Sequence, residues 1–320
     1  MSLTLAIPVC NDLPGLQRLM AQLPGLDCID RVAVLDDASD VPVRPEAILP
    51  RGWASDRLLL LRRDQRGGPG IGRNMLRDRI ETDHVLFFDS DDLLTPELPR
   101  LMRELAGESF DFCLFSHADS RVDLWHGWGQ PPLDAAIWRA AGLRGTLAAA
   151  DAAQIAILSE TANYPWNKIY RTGFLRENGL GCAETLVHED VTLHWHSFLA
   201  ARRVLVSDRI VAHHFVAHAG DRLTNRTGAE RLEVFAIFEP IALRIEAEER
   251  LDFLLPFYRF VDGMIRWIRA NLQPHLHAEL DRRARDFLFA HLDRPRFVAL
   301  AAADPALALR LNLQLARSAA

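Results

Sequence analysis

The sequence predicts an α/β fold: a three-layer α/β/α sandwich on a mostly parallel sheet, followed by a helical carboxy-terminal extension. Three observations carry that expectation. Short apolar runs alternate with segments of helical periodicity along the first part of the chain. A run as apolar as Val85-Leu86-Phe87-Phe88 suits a strand covered on both faces, as in parallel sheets. Acidic residues follow two of these runs, and ligands of such sheets gather at the carboxyl ends of the strands.

Taken in order, Leu3 to Val9, Arg31 to Leu35, Leu58 to Leu61 and Val85 to Phe88 read as strands. Between the first two, Leu13, Leu16, Leu19, Met20 and Leu23 recur at helical spacing, and Pro24-Gly25 ends that helix. Right-handed crossovers then give a parallel arrangement. Thr95-Pro96-Glu97 reads as the cap and first turn of another helix, and Phe110 to Phe115 as the next strand. The stretch Trp125 to Gly145 is rich in Trp, Gly and Pro and reads as a loop-laden insertion over one end of the sheet. A helix from Val191 carries Trp195, Phe198 and Leu199, and Val204 to Val206 closes the domain as a strand. The expected division is residues 1–225 as the sheet domain and 226–320 as helices, with apolar positions at Leu232, Phe235, Phe238, Ile241 and Ile245, then Leu251 to Trp267 and Leu280 to Leu292. Phe257, Tyr258, Arg259, Phe260, Arg266, Trp267 and Arg269 read as a helix-helix core with snorkelling Arg, in preference to a membrane-surface stripe.

Composition narrows the function. At 320 residues and 49% hydrophobic content the chain can bury a full core. A net charge of -6 and a pI near 6.1 exclude a nucleic-acid binder that works by phosphate neutralisation. Cys10, Cys28, Cys113 and Cys182 lie far apart without a C-x-x-C pair, which suits reduced cytosolic thiols. Met1-Ser2 runs straight into a strand with no basic leader, so the expected location is cytoplasmic, with peripheral contact on the inner face of the cell membrane. Leu147 to Leu158 is too short and too interrupted to cross a bilayer, and the sequon at Asn225 is expected to carry no sugar.

Asp89-Ser90-Asp91-Asp92 clusters carboxylates that would repel one another without a cation, and the D-x-D spacing suits Mg²⁺ or Mn²⁺ bridging to phosphate oxygens. The same residues also suit a solvated loop capping the next helix. Asp36-Asp37 ends the second strand at the same rim, where carboxylates accept hydrogen bonds from ribose or base or, equally, hold an Asx turn. In Arg66-Gly67-Gly68-Pro69-Gly70-Ile71-Gly72-Arg73, the glycines free the backbone to approach a ligand, and Arg73 offers a fork to a diphosphate. Gly67 and Gly72 have P-loop spacing, but Arg73-Asn74 stands where Lys-Ser/Thr is required. Pro8-Val9-Cys10-Asn11 after the first strand excludes a dinucleotide fingerprint. His188-Glu189-Asp190 precedes a helix and can supply a general base or merely complement the helix dipole. His213, His214 and His218 follow the last strand; His214 is the imidazole placed to reach the metal, against the commoner structural role.

Read together, Ile7-Pro8-Val9-Cys10-Asn11, Val34-Leu35-Asp36-Asp37-Ala38-Ser39, Gly72-Arg73-Asn74, Phe88-Asp89-Ser90-Asp91-Asp92, Trp166-Asn167-Lys168-Ile169-Tyr170 and His188-Glu189-Asp190-Val191 resemble the family 2 glycosyltransferases of the GT-A fold. The resemblance covers about the first 220 residues and is to the branch that decorates bacterial capsules, teichoic acids and lipopolysaccharides. It implies inverting, metal-dependent transfer of a sugar from a nucleotide-diphosphate donor, UDP favoured, to a glycan, lipid-linked or polyol-phosphate acceptor. Pro8, Asn11, Asp36 and Asp37 would then line the nucleotide site. Asp89 would sit near the ribose and metal, Asp91 would be the principal metal ligand with Asp89 and His214 beside it, and Arg73 would meet the donor. Asp190 would take the acceptor proton with Glu189 orienting it. Cys10 stands where relatives often carry an aromatic residue, and Arg266-Trp267 lacks the Gln of the processive Gln-x-x-Arg-Trp motif, so single-sugar transfer is expected. The carboxy-terminal helices are expected to pair copies of the chain or to contact acceptor or membrane surface; the rival expectations are a non-catalytic donor-binding or scaffold subunit that uses those helices to bind a partner, and a nucleotidyltransferase.

Overall fold

A computed structural model of the protein describes residues 1–122, 129–143, 145–215 and 225–316. The alternating runs form β1 (Leu3–Val9), β2 (Arg31–Asp36), β3 (Leu58–Arg62) and β4 (His84–Phe87). These pair in parallel in the order β3-β2-β1-β4, with Val9 opposite Asp36 and Ala6 opposite Phe87. The remaining strands are β5 (Leu93–Leu94), β6 (Phe112–Asp119), β7 (Ala148–Ala150), β8 (Lys168–Arg171) and β9 (Val204–His214). Beyond β4 the sheet is mixed: β6 and β9 pair in parallel, and the other pairings are antiparallel. β8 inserts antiparallel between β4 and β6, so the nine-stranded sheet runs β3-β2-β1-β4-β8-β6-β9-β5, with β7 on β9. The reason is connectivity: the insertion after β6 brings the chain back to the sheet from its far end. β9 is longer than Val204 to Val206, because its second half continues beside β6 through two register shifts.

Alternation places successive side chains on opposite faces. Leu5, Ile7, Val32, Val34, Leu86 and Phe88 face one core with α1 (Leu13–Met20), α2 (Pro45–Ile48) and α4 (Glu97–Leu105). Ala6, Ala33, Leu35, Val85 and Phe87 face the other, under α3 (Pro69–Arg77), α5 (Pro132–Ala141), α6 (Ala152–Leu158), α7 (Thr172–Glu177) and α8 (Glu189–Ala200). The N-cap position of α4 falls on Pro96, one residue after the expected Thr95, whose Oγ1 still accepts from the Glu97 amide at 3.1 Å. Part of the stretch read as loop is the helix α5; residues 123–128 and 144 lie outside the described residues, as do His218 and the rest of 216–224, which lead up to the expected domain boundary at 225.

The second core continues into α9 (Val234–Ala247), α10 (Leu254–Asn271) and α11 (His277–His291), flanked by α12 (Arg294–Ala303) and α13 (Pro305–Ala316). Trp195 and Phe198 of α8 belong to the same cluster as Phe238, Phe257 and Phe287. The Arg-and-aromatic stripe is therefore largely core with paired cations: Phe257 and Tyr258 are buried, Arg259 reaches Asp304, and Arg266 reaches Asp262. Within the described residues, no helix is long and apolar enough to cross a membrane.

Candidate active site

The carboxyl ends of β1, β2 and β4 share one rim, and both acidic clusters lie there. They differ in how their oxygens are engaged. Asp36 is fully buried and accepts from the amides of Ser39 (2.9 Å) and Val43 (3.0 Å) and from the Arg62 guanidinium. Burial opposes its ionisation, but those bonds outweigh it and hold its pKa below the usual range. Asp37 accepts from the Gly67 and Gly68 amides, with Gly68 at 2.8 Å, and from Arg63 at 3.1 Å. Asn11, in the left-handed region at φ 53°, ties the β1 loop to Asp40 by two bonds of 2.9 and 2.8 Å and to Ser39 at 2.9 Å. The Asx-turn reading is thus realised at Asp36, which is a loop-holding residue; Asp37 and Asn11 brace neighbouring loops at the same rim. Pro8 lies within β1 opposite Leu35, beneath Gly72 of α3.

The second cluster is more open at two of its three members: Asp89 and Asp91 are half-buried, and Asp92 is buried behind them. Asp89, Asp91 and Asp92 bring carboxylate oxygens within 4.8 Å of one another. Three hard anionic oxygens at that spacing match the donor preference of Mg²⁺ or Mn²⁺. Asp92 is the member the sequence assigned no role, and His214 takes a different place from the one expected. Its Nδ1 lies 3.0 Å from both Asp92 oxygens, so it stands behind the cluster and orients Asp92, while the Phe215 amide donates to the same carboxylate at 2.8 Å. Burial pulls the His214 pKa down, but Asp92 outweighs that and raises it. Such outer partners fix the orientation of ligating carboxylates. Tyr164 and Trp166 stack at 4.5 Å, and His214 leans on both rings.

Arg73 corrects another expectation. Its side chain is 4% exposed, and its terminal nitrogens donate to Asp89 at 2.5 Å and Glu189 at 2.9 Å. Instead of forking onto a phosphate, it clasps the end of β4 to the start of α8. Gly70 has a corresponding role: a Cβ there would meet the Ala183 carbonyl oxygen at 2.2 Å, so the glycine admits the chain leading to α8 where a ligand approach was expected. That segment is held by mutual bonds, Ala183 to the Glu189 carbonyl at 2.8 Å and the Asn74 amide to Cys182. His188, at φ 63°, turns the chain into the helix.

Glu189 and Asp190 therefore open α8 beside Asp89. Asp190 is half-buried, and both burial and the adjacent Glu189 charge raise its pKa well above the carboxylate range. Asn163 bonds to it and moderates the rise. Behind lies Lys168, fully buried, its ammonium donating to the Tyr164 carbonyl (3.1 Å) and Asn167 Oδ1 (2.6 Å). Burial pushes Lys168 down to about 7, opposed by the charges of Asp190 and Asp134. The sequence could not show this: Lys168 opens the short strand Lys-Ile-Tyr-Arg, and the depth of one Lys depends on the strands that cover it. Two open concavities of about 580 and 550 Å³ lie at the opposite end, around the starts of β4 and β6, and include none of these residues.

Comparison with known proteins agrees with this geometry. Residues 4–171, just over half of the chain, match the family model described as glycosyl transferase family 2. The succinoglycan biosynthesis protein ExoW of Rhizobium meliloti is 35% identical over 99 residues, 30% of this chain and 31% of that protein. A pre-mycofactocin glycosyltransferase of Mycobacterium tuberculosis is 38% identical over 88 residues, 28% of this chain and 17% of its own length. The chain thus spans about a third or less of the length of these relatives. S. aureus TarS 1–349, in complex with UDP-GlcNAc, superposes with a TM-score of 0.75 at 19% identity, covering 99% of this chain and 89% of that one. That likeness establishes the GT-A fold and extends it through the carboxy-terminal helices. With the rim carboxylates, the clasp to α8 and the family match in place, the chain belongs to glycosyl transferase family 2.

Proposed function

We propose that this protein is an inverting, non-processive transferase moving a sugar from a nucleotide-diphosphate donor, UDP-linked by preference, to a hydroxyl acceptor in cell-surface polysaccharide or glycolipid synthesis. The single observation that carries it is the Arg73 clasp, which holds Asp89 of the acidic cluster and Glu189 of the α8 start on one guanidinium. Asp89, Asp91 and Asp92 would hold Mg²⁺ or Mn²⁺, which when bound neutralises the charge developing on the leaving diphosphate. Arg73, fixed by its two carboxylates, sets their separation and keeps a buried positive charge near that end. On the other side Asp190 accepts the acceptor's hydroxyl proton as the new C–O bond forms and the anomeric C–O(phosphate) bond breaks. The electron pair leaves with the nucleoside diphosphate. A carboxylate whose pKa is raised towards neutrality is a more effective base at physiological pH.

The UDP preference draws support from the TarS complexes with UDP-GlcNAc and UDP, and the polysaccharide role from ExoW. The inner-face cytoplasmic location expected from the sequence belongs to the same proposal. The test is the product: NMR of the sugar transferred from an α-linked UDP-sugar must show the β-anomer, with UDP released only when Mn²⁺ or Mg²⁺ is present. Asp91→Ala must lower the metal-dependent rise in melting temperature that the donor produces. Retained α-configuration, or release of pyrophosphate instead of UDP, overturns the reading.

A further inference from the structure

Trp267, in the last third of α10, is 44% exposed and is the most exposed tryptophan among the described residues. It is held in place. The Arg231 guanidinium lies over its ring at 4.3 Å from the centroid, and Arg231 itself is 1% exposed. The His188 ring meets the indole edge-on at 5.9 Å between centroids and 80° between planes. His188 directly precedes Glu189 and Asp190, so this ring stands beside the start of α8.

Burying a guanidinium is costly, and a stack on an aromatic face is strongest when desolvated. Here that arrangement fixes an indole whose remaining surface faces solvent, which contributes little to the core. A held, 44% exposed indole packed on the residue that directly precedes Glu189 and Asp190 offers the C–H face of a pyranose ring apolar area without ordering a flexible side chain. A linear polyol phosphate presents no such face.

Resting on the transferase reading above, we infer that Trp267 is an acceptor platform that stacks on a pyranose ring, making the acceptor a glycoside and the carboxy-terminal helices part of the active site. Full-length wild-type, Trp267→Ala and Trp267→Phe proteins are assayed for UDP release from UDP-GlcNAc and UDP-glucose with Mn²⁺, with p-nitrophenyl pyranosides or ribitol 5-phosphate as acceptors. The donor-induced rise in melting temperature reports folding and an intact donor site for each variant. The expected result is stimulation by pyranosides, a pyranoside KM raised about tenfold in Trp267→Ala, and near-complete rescue in Trp267→Phe. Unchanged KM in Trp267→Ala, loss of the donor-induced rise in that variant, or stimulation by ribitol 5-phosphate alone overturns the inference while leaving the transferase reading standing. Failure of the wild type to release UDP from either donor overturns both.

Discussion

The two acidic clusters at the rim look alike in sequence and differ in structure. Asp36-Asp37 and Asp89 to Asp92 each follow an apolar strand of the parallel half, yet the side chains of Asp36 and Asp37 are 1% and 5% exposed, whereas Asp89 is 31% exposed, Asp91 is half-buried and Asp92 alone of the second cluster is covered, at 1%. The first pair is engaged by backbone amides and arginines of its own loops. The second faces one shared space, braced from behind by His214 and from the side by Arg73. A carboxylate becomes available to a cation when other residues fix its position without covering it, and that distinction lies in tertiary contacts.

The largest effect that sharpens this comparison is on chemistry. Asp190→Asn is expected to lower kcat by about 10²- to 10⁴-fold while leaving the donor-induced rise in melting temperature within error, measured by UDP release and thermal shift. Next comes pH. In the proposed mechanism Asp190 acts ionised, so kcat/KM should climb with pH along a limb lying above the ordinary carboxylate range, and Glu189→Gln should move that limb down by removing a neighbouring negative charge. Stability runs the other way for this group. Its folded pKa is raised, so the stabilisation from protonation is complete below the unfolded pKa and is lost as pH rises through the folded one. The smallest effect falls on the closed cluster: Asp36→Ala should cost about 2–3 kcal/mol in chemical denaturation, with donor affinity changed little. Since the Asp36 pKa is lowered, that contribution is present above the unfolded carboxylate pKa and fades as pH falls through the folded value. A loss of donor affinity exceeding the loss of stability would erase the contrast between the clusters.

The strands β1 to β4, α1, the start of α4 to within one residue and the placement of both clusters at one rim were legible, because period-2 and period-3.6 patterns and strand ends are local features. The mixed half of the sheet was not. β8 is a four-residue strand, Lys-Ile-Tyr-Arg, flanked by charge at both ends and with a direction that depends on where the insertion re-enters, and β5 and β7 are too short to carry a pattern. At the site, the place of Asp89 and Asp91 after β4 and of the Glu189-Asp190 pair at the start of α8 could be read. The partners could not: a forked arginine beside a glycine-rich turn serves a phosphate or two carboxylates equally well, and only the approach of the chain before α8 over Gly70 decided for Asp89 and Glu189. His214 follows the same rule, since Asp92 is 122 residues away in sequence.

The most direct test of the account is a crystal structure with a non-hydrolysable UDP-sugar and Mn²⁺, read by anomalous scattering. The account predicts the manganese peak against Asp89, Asp91 and Asp92, the diphosphate on that side of the anomeric carbon, and the Asp190 carboxylate on the other. A peak elsewhere, or Asp190 on the same side as the diphosphate, would contradict it.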